Sequence, residues 1–367
     1  PACGEPGWLA RRGAKESILL LKNGRNTLPL DKNTSAIAVI GPLADNKPEP
    51  LGPWHTMGQP EDVFTVLAGI KAKVPASTQV VYAQGAGVED TSTAGFAEAV
   101  AAAKQAKVAV LVLGERGEMS GEAASRSVIG LPGVQEQLLE AVAGTGTPVV
   151  LVLMNGRPLT IEWAAEHVPA IVETWFLGVE AGNATADVLF GDVNPSGRLP
   201  VTFPRSLGQI PLYYNHRNTG RPPADVKWTS RYIDVPVTPR YPFGYGLSYS
   251  TFGYRDLKVA NPRIRATDTL TVSVSLTNTG SREGTEVVQL YVRDEVGSVA
   301  RPVRELKAFR RVTLKPGESQ TVTLRVPVRD LGFYGLDMKR VVEPGTFRVY
   351  VGPSSAEGLE GGFEVIR

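Results

Sequence analysis

One cysteine, Cys3, and three histidines, His55, His167 and His216, are all that 367 residues provide in thiolate or imidazole ligands. A lone thiol permits no internal disulfide and no thiolate metal cluster, and three histidines in distant segments show no metal-ligand spacing. No metal and no other cofactor is expected. Long apolar runs are missing too: the longest, at 108–113 and 149–154, are six residues each, against the roughly 18–20 that a membrane-spanning helix needs. Charge of one sign is also lacking. Thirty-nine Lys and Arg oppose 37 Asp and Glu for a net +2, and the basic residues are interspersed with acidic ones, so neither a membrane nor a nucleic acid is expected as a partner. A charged start followed by an apolar stretch does not appear over residues 1–25, and no signal peptide is expected in this chain.

What is present is material for more than one core. The apolar set makes up 42% of the residues and charged ones 21%, which excludes the low-hydrophobicity, high-charge profile of disorder. The length predicts two domains or three. Residues 36–40 (AIAVI), 108–113 (VAVLVL) and 149–154 (VVLVLM) are continuous, β-branched apolar runs, as strands buried on both faces require. Between them, 94–106 is Ala-rich and 134–143 spaces Val134, Leu138, Leu139 and Val142 along one helical face. A further strand is predicted over 171–176 and a helix over 182–190, with Gly191 placed to end it. Alternating strand and helix predict an α/β sandwich with a mostly parallel sheet.

Past Pro204 the pattern changes. Residues 206–251 hold no sustained period but many prolines, glycines and aromatics, among them Tyr213, Tyr214, Trp228, Tyr241, Phe243 and Tyr245. That composition predicts an ordered interdomain linker packed through its rings. The period then becomes two: Leu270, Val272, Val274 and Leu276, then Val322, Leu324, Val326 and Val328, then Phe347, Val349 and Val351. Turn residues separate them, and 287–292 is a more continuous strand. Without the Cys-Trp-Cys pattern of antibody domains, the better expectation is a fibronectin type III-like β-sandwich. The predicted organisation is therefore an N-terminal extension (1–15), an α/β domain (16–205), the linker (206–251) and the all-β sandwich (252–367).

The loop after the strand at 108–113 carries Glu115, Arg116, Glu118, Glu122 and Arg126 between Gly114, Gly117 and Gly121. The carboxyl end of a strand in an open α/β sheet is where ligands bind. A phosphate-cradling loop is excluded by the absence of Gly-x-Gly-x-x-Gly spacing and of a Walker lysine. A serine hydrolase is excluded by the absence of a Gly-x-Ser-x-Gly elbow. Two readings of the residues stand: a carboxylic acid on a Gly-flanked loop, suited to protonating a leaving group, or three glutamates that solvate a surface loop while Arg126 pairs with one of them. Asp192 and Asn194, beside Pro195-Ser196-Gly197, read as turn residues bonding local backbone.

Several stretches carry a family resemblance: ESILLLKN (16–23), AVIGPLAD (38–45), LMNGRPL (153–159), NPSGRLP (194–200), YYNH (213–216), NTGRP (218–222), YPFGYGLSY (241–249) and RPVREL (301–306). In this order the chain resembles the C-terminal part of glycoside hydrolase family 3 β-glucosidases, close to the bacterial periplasmic type. The resemblance implies a retaining exo-acting enzyme that removes terminal non-reducing β-D-glucosyl residues. In that family an Asp nucleophile comes from a barrel domain and the acid/base from a loop of the α/β domain. Glu122, in Ser120-Gly121-Glu122-Ala123, falls on the acid/base position. Arg126 is then a candidate to orient it, Trp54 a candidate for sugar stacking or domain packing, and His216 and Asn218 candidates for sugar contact.

Nothing in the chain resembles the barrel, with its Ser-Asp-Trp nucleophile segment and Lys-His pair. The implied partners are a β-glucoside or oligosaccharide substrate and a barrel on another chain or a missing segment. The chain alone is expected to be inactive or nearly so, and a periplasmic or secreted location is implied. The alternative is a non-catalytic glycan-binding or structural module that retains the fold. A family 3 N-acetylglucosaminidase fits less well, since those enzymes use a barrel histidine as acid/base.

Overall fold

A computed structural model of the chain describes residues 5–367. Cys3 and the first part of the predicted N-terminal extension lie outside the described residues. Two compact units emerge, one holding the described residues up to Gly197 with Arg205–Leu207, the other Arg198–Pro204 with Gly208–Arg367.

The first unit runs α1 (Glu5–Ser17), β1 (Leu19–Asn23), β2 (Ala36–Ile40), α2 (Val66–Lys73), β3 (Gln79–Ala83), α3 (Phe96–Gln105), β4 (Val108–Gly114), α4 (Gln135–Ala143), β5 (Val149–Met154), α5 (Glu162–His167), β6 (Ala170–Glu173) and α6 (Ala181–Leu189). Its sheet has the order β1-β6-β5-β4-β2-β3, parallel throughout except that β1 pairs antiparallel with β6. Strands β2, β4, β5 and β6 are buried along their whole length, which is why they read as unbroken apolar runs and not as alternating ones. Helix α3 packs with α4, while α2 packs with α6 and α6 with α1.

The stretch expected as an extension is in part structural. From Glu5 it forms α1, where Arg11 forks onto the buried Asp187 with Nε and Nη2 2.9 and 2.8 Å from the two carboxylate oxygens. Lys73 also reaches Asp187, and together these cations hold its carboxyl below the usual range against the opposing effect of burial. Asp192, expected to bond local backbone, instead pairs with Lys32 at 2.5 Å and Lys73 at 2.7 Å. Helix α2 starts at Thr65, whose hydroxyl accepts from Ala68 N at 3.2 Å and donates to Asp45 at 2.7 Å. Thr65→Ala removes that cap and should lower unfolding stability by about 1 kcal/mol, with Thr65→Ser restoring most of it, as measured by urea denaturation. Equal midpoints for all three proteins would show that the cap contributes nothing.

The second unit contains β7 (Phe252–Val259), β8 (Arg263–Arg265), β9 (Thr269–Asn278), β10 (Gly284–Asp294), β11 (Glu305–Leu314), β12 (Ser319–Pro327), β13 (Phe333–Tyr334), β14 (Arg340–Val341), β15 (Gly345–Gly352) and β16 (Leu359–Ile366). One sheet is ordered β11-β10-β15-β16-β8 and the other β12-β9-β7, with β13 and β14 as a small hairpin. Alternate residues of β9, Leu270, Val272, Val274 and Leu276, are buried in one core with Val288, Leu290, Val292, Val349 and Val351. This is the β-sandwich that the period of two predicts.

Strand β10 departs from alternation because its other face is also covered. Residues 286–292 are all buried. Gln289 donates to Gly244 O at 3.0 Å and to Pro353 O at 2.6 Å, and Tyr291 donates to Gln289 at 2.5 Å. Tyr214 stacks on Phe243 at 4.3 Å, meets the edge of Tyr291 at 5.7 Å, and accepts from Leu306 N at 3.1 Å. From Gly208 onward, the segment expected as an interdomain linker therefore belongs with the sheet unit, held there by its rings.

Candidate active site

Along the first sheet the chain runs outward from β2 to β3 and then returns to lay β4 on the other side of β2. That reversal opens a crevice at the carboxyl ends of β2 and β4. The loops that follow these two strands wall an open cleft of about 590 Å³, lined by Glu49, Trp54 and His55 from the first, and by Arg116, Glu118 and Glu122 from the second.

The second loop leaves β4 through Gly114, at φ +147°, where an added Cβ would fall 1.9 Å from Met154 O. Gln135 in α4, fully buried, grips this point: its Oε1 accepts from Gly114 N at 2.9 Å and its Nε2 donates to Gly114 O at 2.8 Å. Eight residues on, Glu122 sits between Gly121 at φ +102° and Ala123 at φ +57°. The left-handed region disfavours a residue with a Cβ, so a tight, locally strained turn presents Glu122. Its side chain is exposed on the cleft, and among the described residues no hydrogen bond or ion pair engages its carboxyl. A Cβ on Gly121 would come 3.1 Å from Pro53 and 3.4 Å from Trp54 Cζ2, which places the indole edge beside this turn. Trp54 itself is 69% exposed.

The loop's glutamates do not share one environment, contrary to the solvated-loop expectation. Glu115 is 0% exposed. Its Oε1 lies 2.5 Å from Arg126 Nη1 and 2.9 Å from Arg157 Nε, while its Oε2 is 3.4 Å from Ser120 Oγ and accepts from Gly156 N at 3.3 Å. Two guanidiniums supply the compensation that a buried carboxylate needs. Glu118 is exposed and pairs with Arg116, which also holds Glu89 at 2.7 Å. Arg126, considered above as an orienting partner of Glu122, contacts Glu115 and donates to Gly130 O at 3.1 Å.

The cleft belongs to the first unit, and His216 and Asn218 to the second. His216 Nδ1 lies 3.1 Å from Arg217 O, and Asn218 lines a groove with residues 293–301. One buried carboxyl was not singled out from the sequence. Glu173, at the end of β6, accepts from Asn155 Nδ2 at 3.1 Å and from Trp175 N at 2.9 Å. Complete burial pushes its carboxyl up to about 8, with the nearby Glu115 acting in the same direction. The available signal was that a carboxylate ends an otherwise apolar, doubly buried run. Among the described residues no group of three His, Cys, Asp or Glu side chains is placed to hold a metal ion, and no helix is long and apolar enough to cross a membrane.

Comparison with known proteins decides the family. The glycosyl hydrolase family 3 C-terminal domain matches residues 18–249, and a fibronectin type III-like domain matches residues 286–355. The chain belongs to glycoside hydrolase family 3. It is 47% identical to a periplasmic β-glucosidase of Salmonella typhimurium over 97% of the chain and 50% of that protein. Against a β-xylosidase of Formosa agariphila the identity is 45%, over 93% of the chain and 47% of the relative. The β-glucosidase of Listeria innocua solved with glucose superposes with a TM-score of 0.93 at 40% identity, covering 99% of the chain and 50% of the enzyme. This family 3 chain thus spans about half the length of the relatives it matches, and corresponds to their C-terminal part.

Proposed function

We propose that the chain is the acid/base-bearing portion of a retaining, exo-acting β-glucosidase, with Glu122 as general acid and base. The observation that carries this reading is a carboxyl free of internal partners, exposed on a cleft at the sheet's switch point with an indole beside it. Retaining hydrolysis uses two carboxyl groups about 5–5.5 Å apart. Glu122 supplies one, and an Asp on a barrel domain the other. In the first step the Asp attacks the anomeric carbon, the glycosidic C–O bond breaks, and Glu122 gives its proton to the departing oxygen. In the second, the Glu122 carboxylate takes a proton from water as its oxygen attacks the same carbon and the Asp departs.

Trp54 in this reading offers a ring face to the leaving group, and Arg126 pairs with Glu115 and not with Glu122. The barrel domain sets sugar preference, and the β-xylosidase relative makes a xyloside the second substrate to try. A periplasmic location follows from the name of the Salmonella relative. The direct test is release of nitrophenol from an aryl β-glucoside by the chain alone and after addition of a family 3 barrel fragment. The expected result is no turnover alone and turnover on addition, lost when the barrel Asp is replaced. Full turnover by the chain alone would overturn the reading, and reconstituted turnover indifferent to Glu122 would favour a non-catalytic module.

A further inference from the structure

We propose that Glu115 is a positioning residue for Glu122, acting through Arg126 and Arg157 to hold the turn that presents the acid/base; this rests on the reading of Glu122 given above. Glu115 follows β4 directly and is fixed there by its own backbone, whose N–H donates to Met154 O at 2.8 Å. From this buried anchor the two guanidiniums reach both arms of the turn. Arg157 Nη2 donates to Met119 O, three residues before Glu122, and to Ala124 O, two residues after it, the latter at 2.8 Å. Arg126 ties the following stretch down at Gly130 O. Ser120, beside Oε2 of the same carboxylate, adds a contact two residues before the acid.

The arrangement answers a mechanical problem. A turn with Gly121 and Ala123 both at positive φ persists only where its surroundings over-determine it, yet among the described residues no hydrogen bond or ion pair engages the exposed Glu122 carboxyl. Both carbonyls that flank the strained residues end on one guanidinium, and one carboxylate orients that guanidinium. Removing the Glu115 charge leaves Arg157 and Arg126 without the group that sets their direction, and the turn loses its clamp at both ends. A proton donor displaced by about 1 Å can cost 10²-fold in rate, and the loss falls on the step that needs the proton.

Two variants test this. Glu115→Gln keeps the shape and removes the charge; Arg157→Lys keeps a cation but offers a single nitrogen, which cannot bond both carbonyls and pair with Glu115 at once. In the chain, hydrogen exchange at the amides of Met119, Ser120 and Ala124 should accelerate at least about tenfold in both variants, with β2 and β5 amides unchanged. In the barrel-complete protein, kcat/KM for a glucoside with a poor leaving group should fall about 10–100-fold, and that for a dinitrophenyl glucoside, whose leaving group needs no proton, less than about threefold. A purely structural role would depress both substrates alike. Unchanged exchange in the turn with either variant, or equal losses on the two substrates, overturns the proposal. A Glu122→Ala protein with full activity would instead remove the acid/base reading, and the exchange experiment would still decide whether Glu115 holds the turn.

Discussion

Replacing Glu122 by Ala in the barrel-complete protein should lower kcat on a glucoside with an unactivated leaving group by about 10²–10⁴-fold, the usual contribution of a positioned acid or base. The pattern across substrates is more informative than the size. A dinitrophenolate leaves without a proton, so formation of the glycosyl-enzyme from that substrate should survive. Its hydrolysis should stall, because no base remains to take the proton from water. Azide needs no deprotonation to attack, and should restore turnover while yielding a β-glucosyl azide. The exposed, unpaired carboxyl of Glu122 gives the variant little structural cost, so stability should be unchanged within about 0.5 kcal/mol. Activity that is retained on the poor substrate, or lost without azide rescue, would remove Glu122 from the reaction.

Glu173→Gln should abolish a loss of stability with rising pH that the buried carboxyl is expected to give the unsubstituted chain. The Glu173 carboxyl is raised in the fold, from 4.5 to about 8, chiefly by burial. Between those two values the folded state binds a proton that the unfolded state releases, so the contribution is fully present below pH 4.5, falls as pH rises, and levels off above about 8. At 1.4 kcal/mol per pH unit the whole change is on the order of 5 kcal/mol. Urea denaturation at pH 5 and pH 8 measures it as the difference between the two proteins, which cancels the other groups that titrate in that range. That difference should shift in the variant's favour between pH 5 and pH 8. Parallel curves would mean that Glu173 carries its charge in the fold at no cost. Since Glu173 bonds Asn155, next to the Gly156 that donates to Glu115, the slope also reports on the layer beneath the candidate site.

Local pattern made most of the architecture legible. Strands β2 and β5 coincide with the apolar runs at 36–40 and 149–154, and α4 follows the face marked by Leu138, Leu139 and Val142. Short-range periodicity reports which faces are buried. It is silent on partners: nothing local announces that β1 runs antiparallel beside β6, or that β3 and α2 exist in weakly patterned sequence. Residues 208–251 lacked a period because they form no helix longer than one turn and no strand ladder, and covering one face of β10 made that strand read as continuous.

By itself the sequence determined two layers of fold, an α/β sheet and a β-sandwich, and put Glu122 on a glycine-flanked loop at a strand's carboxyl end. Only the tertiary structure decided which glutamate stays free. Glu115 and Glu122 are seven positions apart in similar company, but Glu115 meets Arg157, 42 residues onward on the neighbouring strand's loop, and is buried between two guanidiniums. The crevice likewise arises from β2 and β4 pairing side by side although β3 lies between them in the chain. Charge compensation and cleft formation depend on which distant segments meet, and that is settled when buried strands choose their neighbours.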